Sequence, residues 1–195
     1  MSDKLQTKDL VTIGLFFVIY SVLFLAVGII GLVPILYLAY PFVFAIVAGT
    51  VVMLFMAKVP KPWALFIFGT LSAFAMLAMV SAFGVPLLVA LVFISLAEFF
   101  FRKGGFKSFK YNAIAYGFFS CWTSGSFIQL LLVRDKFIEL NAKAGMSPEY
   151  FEKLDALLSW PSMALVILGG FLGGIIGAYI GKAMLKKHFE KAGII

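Results

Sequence analysis

Glu98 is the one acid set within an apolar stretch of this chain, and it lies four residues before Arg102. A carboxylate in such a place has two chemistries open to it: proton or ion coupling, or a neutralising Glu to Arg pair at i, i+4. No second acid lies within an apolar stretch to make a relay. A second constellation is Trp122, Ser126 and Gln129 at i, i+4 and i+7, with Gly125 on the same side and Arg134 just beyond. An aromatic face, a hydroxyl, an amide and a guanidinium are the means of small-molecule recognition, stacking combined with directional hydrogen bonds. Tyr37 and Tyr40 open one further apolar stretch and Trp160 with Ser162 opens another, at the same level. For Tyr37 and Trp160 an aromatic belt at the membrane interface is a competing explanation. Gln129 is harder to explain that way, because its amide sits about a turn below the charged boundary and needs a partner.

Catalysis and metal binding find no such support. His188 is the one histidine and stands among lysines, and Cys121 is the one cysteine, inside an apolar stretch. One imidazole and one thiol far apart fall short of a transition-metal ligand set. No nucleophile pairs with a base and no carboxylates pair with each other, so an enzyme is not expected, nor a cofactor. A Gly-rich phosphate loop ending in Lys-Ser or Lys-Thr is also missing, so active transport would draw its energy from a partner or a gradient.

The elements that must position these residues follow from composition. Of 195 residues 63% are hydrophobic and 13% charged, where soluble domains run at about 45–50% and about 25%. The chain is therefore an integral membrane protein, lying in the lipid bilayer of the cell membrane. Six apolar stretches predict six transmembrane helices: Leu10 to Ile30, Ile35 to Ala57, Trp63 to Ser81, Val85 to Phe101, Tyr111 to Val133, and Pro161 to Leu185. The first begins after Lys4 and Lys8, as a signal peptide would, but it exceeds the typical signal core of about 7–15 residues and reads as a retained helix. Twelve of the sixteen Lys and Arg residues fall on the side of the termini, against Arg134, Lys136, Lys143 and Lys153 on the other. The positive-inside rule then predicts that both termini are cytoplasmic. It also accounts for the net charge of +7 without nucleic acid as a partner. The fold class expected is all-α, a single polytopic membrane domain with a basic cytoplasmic tail over 186–195.

Between the fifth and sixth spans the external segment 134–160 reads as short helices. The fifth helix is expected to continue through Phe137, Leu140 and Ala144 to Gly145. A second helix is expected with Ser147 as N-cap, Pro148 at the first position and Glu149 in the first turn. Phe151, Leu154, Leu157 and Leu158 give it one apolar face, suited either to a lid over a cavity or to an interfacial anchor. In the sixth span Gly169, Gly173, Gly177 and Gly181 recur at i+4. That ladder lets a neighbouring backbone approach, in packing within the chain or in docking another subunit. Gly14, Val18 and Ser21 form a weaker stripe on the first span.

Five ordered pieces carry a family resemblance: Lys8-Asp9-Leu10 to Gly14; Ala97-Glu98 through Lys103-Gly104-Gly105-Phe106-Lys107-Ser108; Asn112-Ala113-Ile114-Ala115-Tyr116; Arg134-Asp135; and Gly181-Lys182 to Lys186-Lys187-His188-Phe189-Glu190-Lys191-Ala192-Gly193. Together they resemble the Trep_Strep-type S components of energy-coupling factor (ECF) transporters over nearly the whole chain. The resemblance implies the substrate-capturing subunit of an importer for a vitamin-class nutrient. It implies as partners a transmembrane T component and two cytoplasmic ATPase subunits, with the S component toppling in the membrane to release its cargo. S components commonly meet the T component through an Ala-xxx-Ala stripe on the first helix, for which Gly14 and Val18 are the nearest match here. Their pockets lie in the outer half under external loops, where Tyr37, Tyr40, Trp122, Ser126, Gln129, Arg134 and Trp160 are expected to bind a small nutrient. The alternatives are an ion- or proton-coupled carrier using Glu98, and a non-transporting assembly partner using the glycine face.

Overall fold

The computed structural model describes residues 4–79, 84–143, 145 and 147–189. Among the described residues the chain is helical throughout, with no strand: α1 (Thr7–Gly28), α2 (Pro34–Lys58), α3 (Ala64–Met79), α4 (Val85–Lys103), α5 (Phe109–Ser120), α6 (Gly125–Leu132), α7 (Arg134–Lys143), α8 (Pro148–Leu157) and α9 (Trp160–Phe189). Four helical segments are long and apolar enough to cross a bilayer alone: Thr7–Leu32, Pro34–Lys58, Val85–Lys103 and Trp160–Lys186. α3 has 16 residues, short of the roughly 20 that a hydrocarbon core asks for, and the end of its predicted span, Val80 and Ser81, lies outside the described residues.

The predicted span from Tyr111 to Val133 is not one helix. It is α5 and α6 joined by a 3-10 turn over Cys121–Ser124. The cause is local. Ser120 Oγ donates to the Tyr116 carbonyl at 2.8 Å and Ser124 Oγ to the Cys121 carbonyl at 2.6 Å, while Thr123 Oγ1 donates to Ser120 O. Hydroxyls that bond backward in this way compete with the helical ladder and bend it. Gly125 then opens α6, where a Cβ would sit 2.7 Å from the Pro86 backbone, so α6 and the start of α4 cross with almost nothing between them. The expected continuation past Val133 also fails, because Val133 leaves the helical region (φ −140°, ψ 55°) and α7 starts afresh at Arg134. Ala144, in that expected continuation, lies outside the described residues. The following N-cap forms as read: Ser147 Oγ accepts from Tyr150 N–H at 3.3 Å. At the other extreme, α9 runs on to Phe189, so 186–189 belong to the helix and not to a separate tail.

α2 lies at the centre of the bundle, flanked by α1, α5 and α9. Its contact with α9 is built on glycine. A Cβ on Gly173 would stand 2.6 Å from Phe42 O, one on Gly177 would overlap Ala45 O, and one on Gly181 would meet Gly49 O at 3.1 Å, whereas Gly169 has 3.8 Å of room before the Phe42 Cβ. The neighbouring Gly174 presses instead on Gly117 and Tyr116 O of α5. The glycine ladder is thus spent inside the chain, giving the backbone-to-backbone approach that drives helix association in lipid. On α1 the side chains of Ile13, Phe16 and Tyr20 are buried, while Val18 is exposed and a Cβ on Gly14 would meet nothing. Ser21 turns its hydroxyl back to Phe17 O at 2.8 Å.

At one end of the bundle the α2 to α3 and α4 to α5 connections and their flanking helix ends hold Lys58, Lys61, Arg102, Lys103, Lys107 and Lys110, and Lys61 reaches Asp9 at the start of α1; this is the basic end. α7 and α8 close the other, distal end.

Candidate functional site

Glu98 and the aromatic and amide cluster occupy opposite ends. Near the basic end Glu98 is buried (4% exposed). Its Oε1 accepts from Arg102 Nε at 2.7 Å and from Trp63 N–H at 2.6 Å, and its Oε2 accepts from Phe66 N–H at 3.1 Å. The two amides are orphan donors at the start of α3, so a carboxylate from α4 caps that helix and complements its positive dipole end. The Arg102 guanidinium lies 4.2 Å from the centre of the Trp63 ring. Trp63 itself adopts φ +70°, a left-handed conformation that the cap and the stacking hold in place. Asp9, which carried no role in the sequence reading, is a second structural acid. It takes Lys61 Nζ at 2.6 Å and ties α1 to the α2 to α3 loop.

Toward the distal end α1, α2 and the α5 to α6 break converge. Trp122 is buried (3% exposed), with its indole N–H donating to Tyr20 Oη at 2.9 Å and its face stacked on Phe24 at 5.5 Å between centroids. Tyr40 donates to the Phe24 carbonyl at 3.3 Å and stacks on Phe44. Tyr37 leans on Phe127 at 4.5 Å, with Ser126 beside its hydroxyl. Gln129 is also buried (4% exposed), and its Oε1 has no hydrogen-bond partner among the described residues. A buried carbonyl oxygen left empty costs about 1–3 kcal/mol, a penalty that a ligand or water donor would remove.

The structure therefore gathers Tyr37, Tyr40, Trp122, Ser126 and Gln129 into one half of the molecule but leaves two predicted members outside. Arg134 is exposed and pairs with Asp155 at 3.1 Å, where the neighbouring carboxylate holds the guanidinium more firmly protonated than usual. Trp160 is 60% exposed at the start of α9. In their place the site holds Tyr20 and Phe24 from α1. A tyrosine hydroxyl within an otherwise apolar helical stripe, Ile13, Phe16, Tyr20, was the signal available for the first; Phe24 had none among 23 phenylalanines.

α8 covers this half. Phe151 and Leu154 are buried against Phe127, Leu130 and Val166, and Tyr150 donates to the Gly31 carbonyl at 2.6 Å. Phe151, Leu154 and Leu158 turn into the protein, as in a cover, while Leu157 on the same helix stays exposed.

These features define an all-helical integral membrane protein whose distal half holds a packed aromatic cluster and, on α6, the buried Gln129. The chain belongs to the Trep_Strep family, described as a hypothetical bacterial integral membrane protein, whose model matches residues 7–191. Neither the curated proteins nor the solved structures contain a significant match.

Proposed function

We propose that this protein is the substrate-binding S component of an ECF-type importer, capturing a small, heteroaromatic nutrient from outside the cell. On this reading the chain crosses the membrane six times, with α3 and the broken α5 to α6 pair completing the four long spans, and both termini are cytoplasmic, as the crowding of cations at the basic end favours. The observation that carries the proposal is the buried Gln129 Oε1, without a partner among the described residues, in the same half of the molecule as the stackable rings and as the helix α8 that packs over it. A ligand N–H or O–H donor would satisfy that oxygen, and its ring would replace the contacts that Trp122 and Tyr37 now make with Phe24 and Phe127. Because those rings now pack on one another, entry requires α8 or the Tyr37 to Phe127 pair to move.

For the partner contact, α1 presents an exposed apolar face with Val18 on it and open space over Gly14, suited to close approach by a transmembrane T component that carries two ATPase subunits. The rival that uses Glu98 for ion coupling is less well supported, since both carboxylate oxygens are already committed to capping α3. An assembly role through the glycine ladder is also less well supported, since α2 and α5 occupy it.

The test is uptake into proteoliposomes. Co-reconstituted with the T and ATPase subunits of a bacterium carrying this family, the protein should import a vitamin-class compound with ATP and not with an imposed proton or sodium gradient. Gradient-driven uptake by the protein alone, abolished in Glu98→Gln, would overturn the assignment in favour of a secondary carrier.

A further inference from the structure

Beyond the ligand cluster, the basic end holds a cavity of about 270 Å³ between the ends of α2, α5 and α9. Met53, Ala57 and Leu185 form its apolar floor, and Lys107, Lys182 and Lys186 ring it. None of these three lysines has a carboxylate within ion-pair distance among the described residues. Lys182 instead rests its ammonium 4.2 Å from the centre of the Phe109 ring. Three cations around one hollow repel one another, and an anion between them removes that cost.

Asn112, also lining the cavity, is buried (8% exposed). Its Nδ2 donates to the Phe106 carbonyl at 3.4 Å, which fixes the amide's orientation, and its Oδ1 then has no hydrogen-bond partner among the described residues. The site asks for an occupant with negative charge for the lysines and a hydroxyl for Asn112. From its mouth an aromatic wall climbs the α5 to α9 face toward the middle of the bundle: Phe109 against Tyr179 at 5.0 Å, then Phe118 against Phe171 at 5.1 Å, with Tyr179 60% exposed. A phosphate for the lysines, a free hydroxyl within reach of Asn112 and an apolar chain along the aromatic wall together describe one class of molecule.

We propose that this cavity binds the headgroup of an anionic phospholipid with a hydroxylated headgroup, phosphatidylglycerol being the simplest, with its phosphate among Lys107, Lys182 and Lys186 and a headgroup hydroxyl donating to Asn112 Oδ1. Basic hollows between helices on the cation-rich side are suited to such lipids. Bound there, the lipid bridges α2, α5 and α9 at the end where the glycine contact between α2 and α9 finishes.

Native mass spectrometry of the full-length protein, titrated in detergent with phosphatidylglycerol, phosphatidic acid and phosphatidylcholine, tests this. Phosphatidylglycerol should be retained about tenfold or more over phosphatidylcholine. The triple variant Lys107→Gln, Lys182→Gln, Lys186→Gln should lose that preference, while the equally charge-depleted Lys58→Gln, Lys103→Gln, Lys110→Gln keeps it. Asn112→Leu should erase the advantage of phosphatidylglycerol over phosphatidic acid, which lacks the headgroup hydroxyl. If the pocket triple does not fold, Lys182→Gln and Asn112→Leu singly carry the same comparison. Equal retention of all three lipids, or equal loss in both triple variants, would overturn the site. Displacement of the lipid by millimolar inorganic phosphate would show instead a site for a free anion and overturn the lipid assignment.

Discussion

Among the described residues Glu98 accepts three hydrogen bonds and Gln129 Oε1 accepts none, and that contrast separates a structural acid from a candidate recognition amide. Replacing Glu98 by glutamine turns one of its acceptor oxygens into a donor facing Phe66 N–H, or Trp63 N–H and Arg102. The cost expected is about 2–4 kcal/mol, read as a clear fall in melting temperature in detergent; an unchanged melt would remove the capping role. At Gln129 the expectation has the opposite sign. Gln129→Leu discards an unsatisfied oxygen, so the unliganded protein should be as stable as the parent or about 1 kcal/mol more so, while ligand binding is lost. Stability gained together with function lost is the mark of a binding group and not of a packing one.

At the scale of the elements, the α2 to α9 contact and the α8 cover make distinct predictions. Gly177→Ala would drive its Cβ onto Ala45 O, separating the helices at an expected cost of about 2–3 kcal/mol. Gly169→Ala, with 3.8 Å of room, should be neutral or stabilise by about 0.5 kcal/mol. The two residues look alike in the ladder, and a thermal melt that failed to separate them would contradict the packing described. Tyr150→Phe deletes the hydrogen bond that pins α8 to Gly31 O, worth about 1 kcal/mol. Ligand release should quicken about fivefold, measurable by dilution once a ligand is in hand, and the melt of the empty protein should fall by about 2–4 °C.

These elements also show what the sequence made legible. Apolar runs marked the long helices and the Ser147 cap, because length in hydrocarbon and capping chemistry are local properties. The break at Cys121–Ser124 was not legible, since serine, threonine and cysteine within an apolar stretch serve a straight helix as readily as a bent one until their hydroxyls choose a carbonyl. The site was half legible for a similar reason. Trp122, Tyr40 and Gln129 stood out by type, but the partners of Trp122, Tyr20 and Phe24, come from a helix about a hundred residues away in sequence, and Arg134 and Trp160 stand near the others along the chain yet are exposed in the fold.

Over the whole molecule, the two ends differ in kind. The basic end is held by ion pairs, Asp9 with Lys61 and Glu98 with Arg102, and opens into the lysine-ringed cavity. The distal half is aromatic, covered by α8, and contains the unpartnered Gln129. On the function proposed above, the power for transport comes from other subunits. Such a molecule is suited to catching a solute at one face and handing it over at the other. The most direct test of that account is mass spectrometry of small molecules released from the protein purified out of cells grown in rich medium. The account predicts a vitamin-sized compound in near-stoichiometric amount with the parent chain and none with Gln129→Leu; no compound in either, or the same compound retained equally in both, would contradict it.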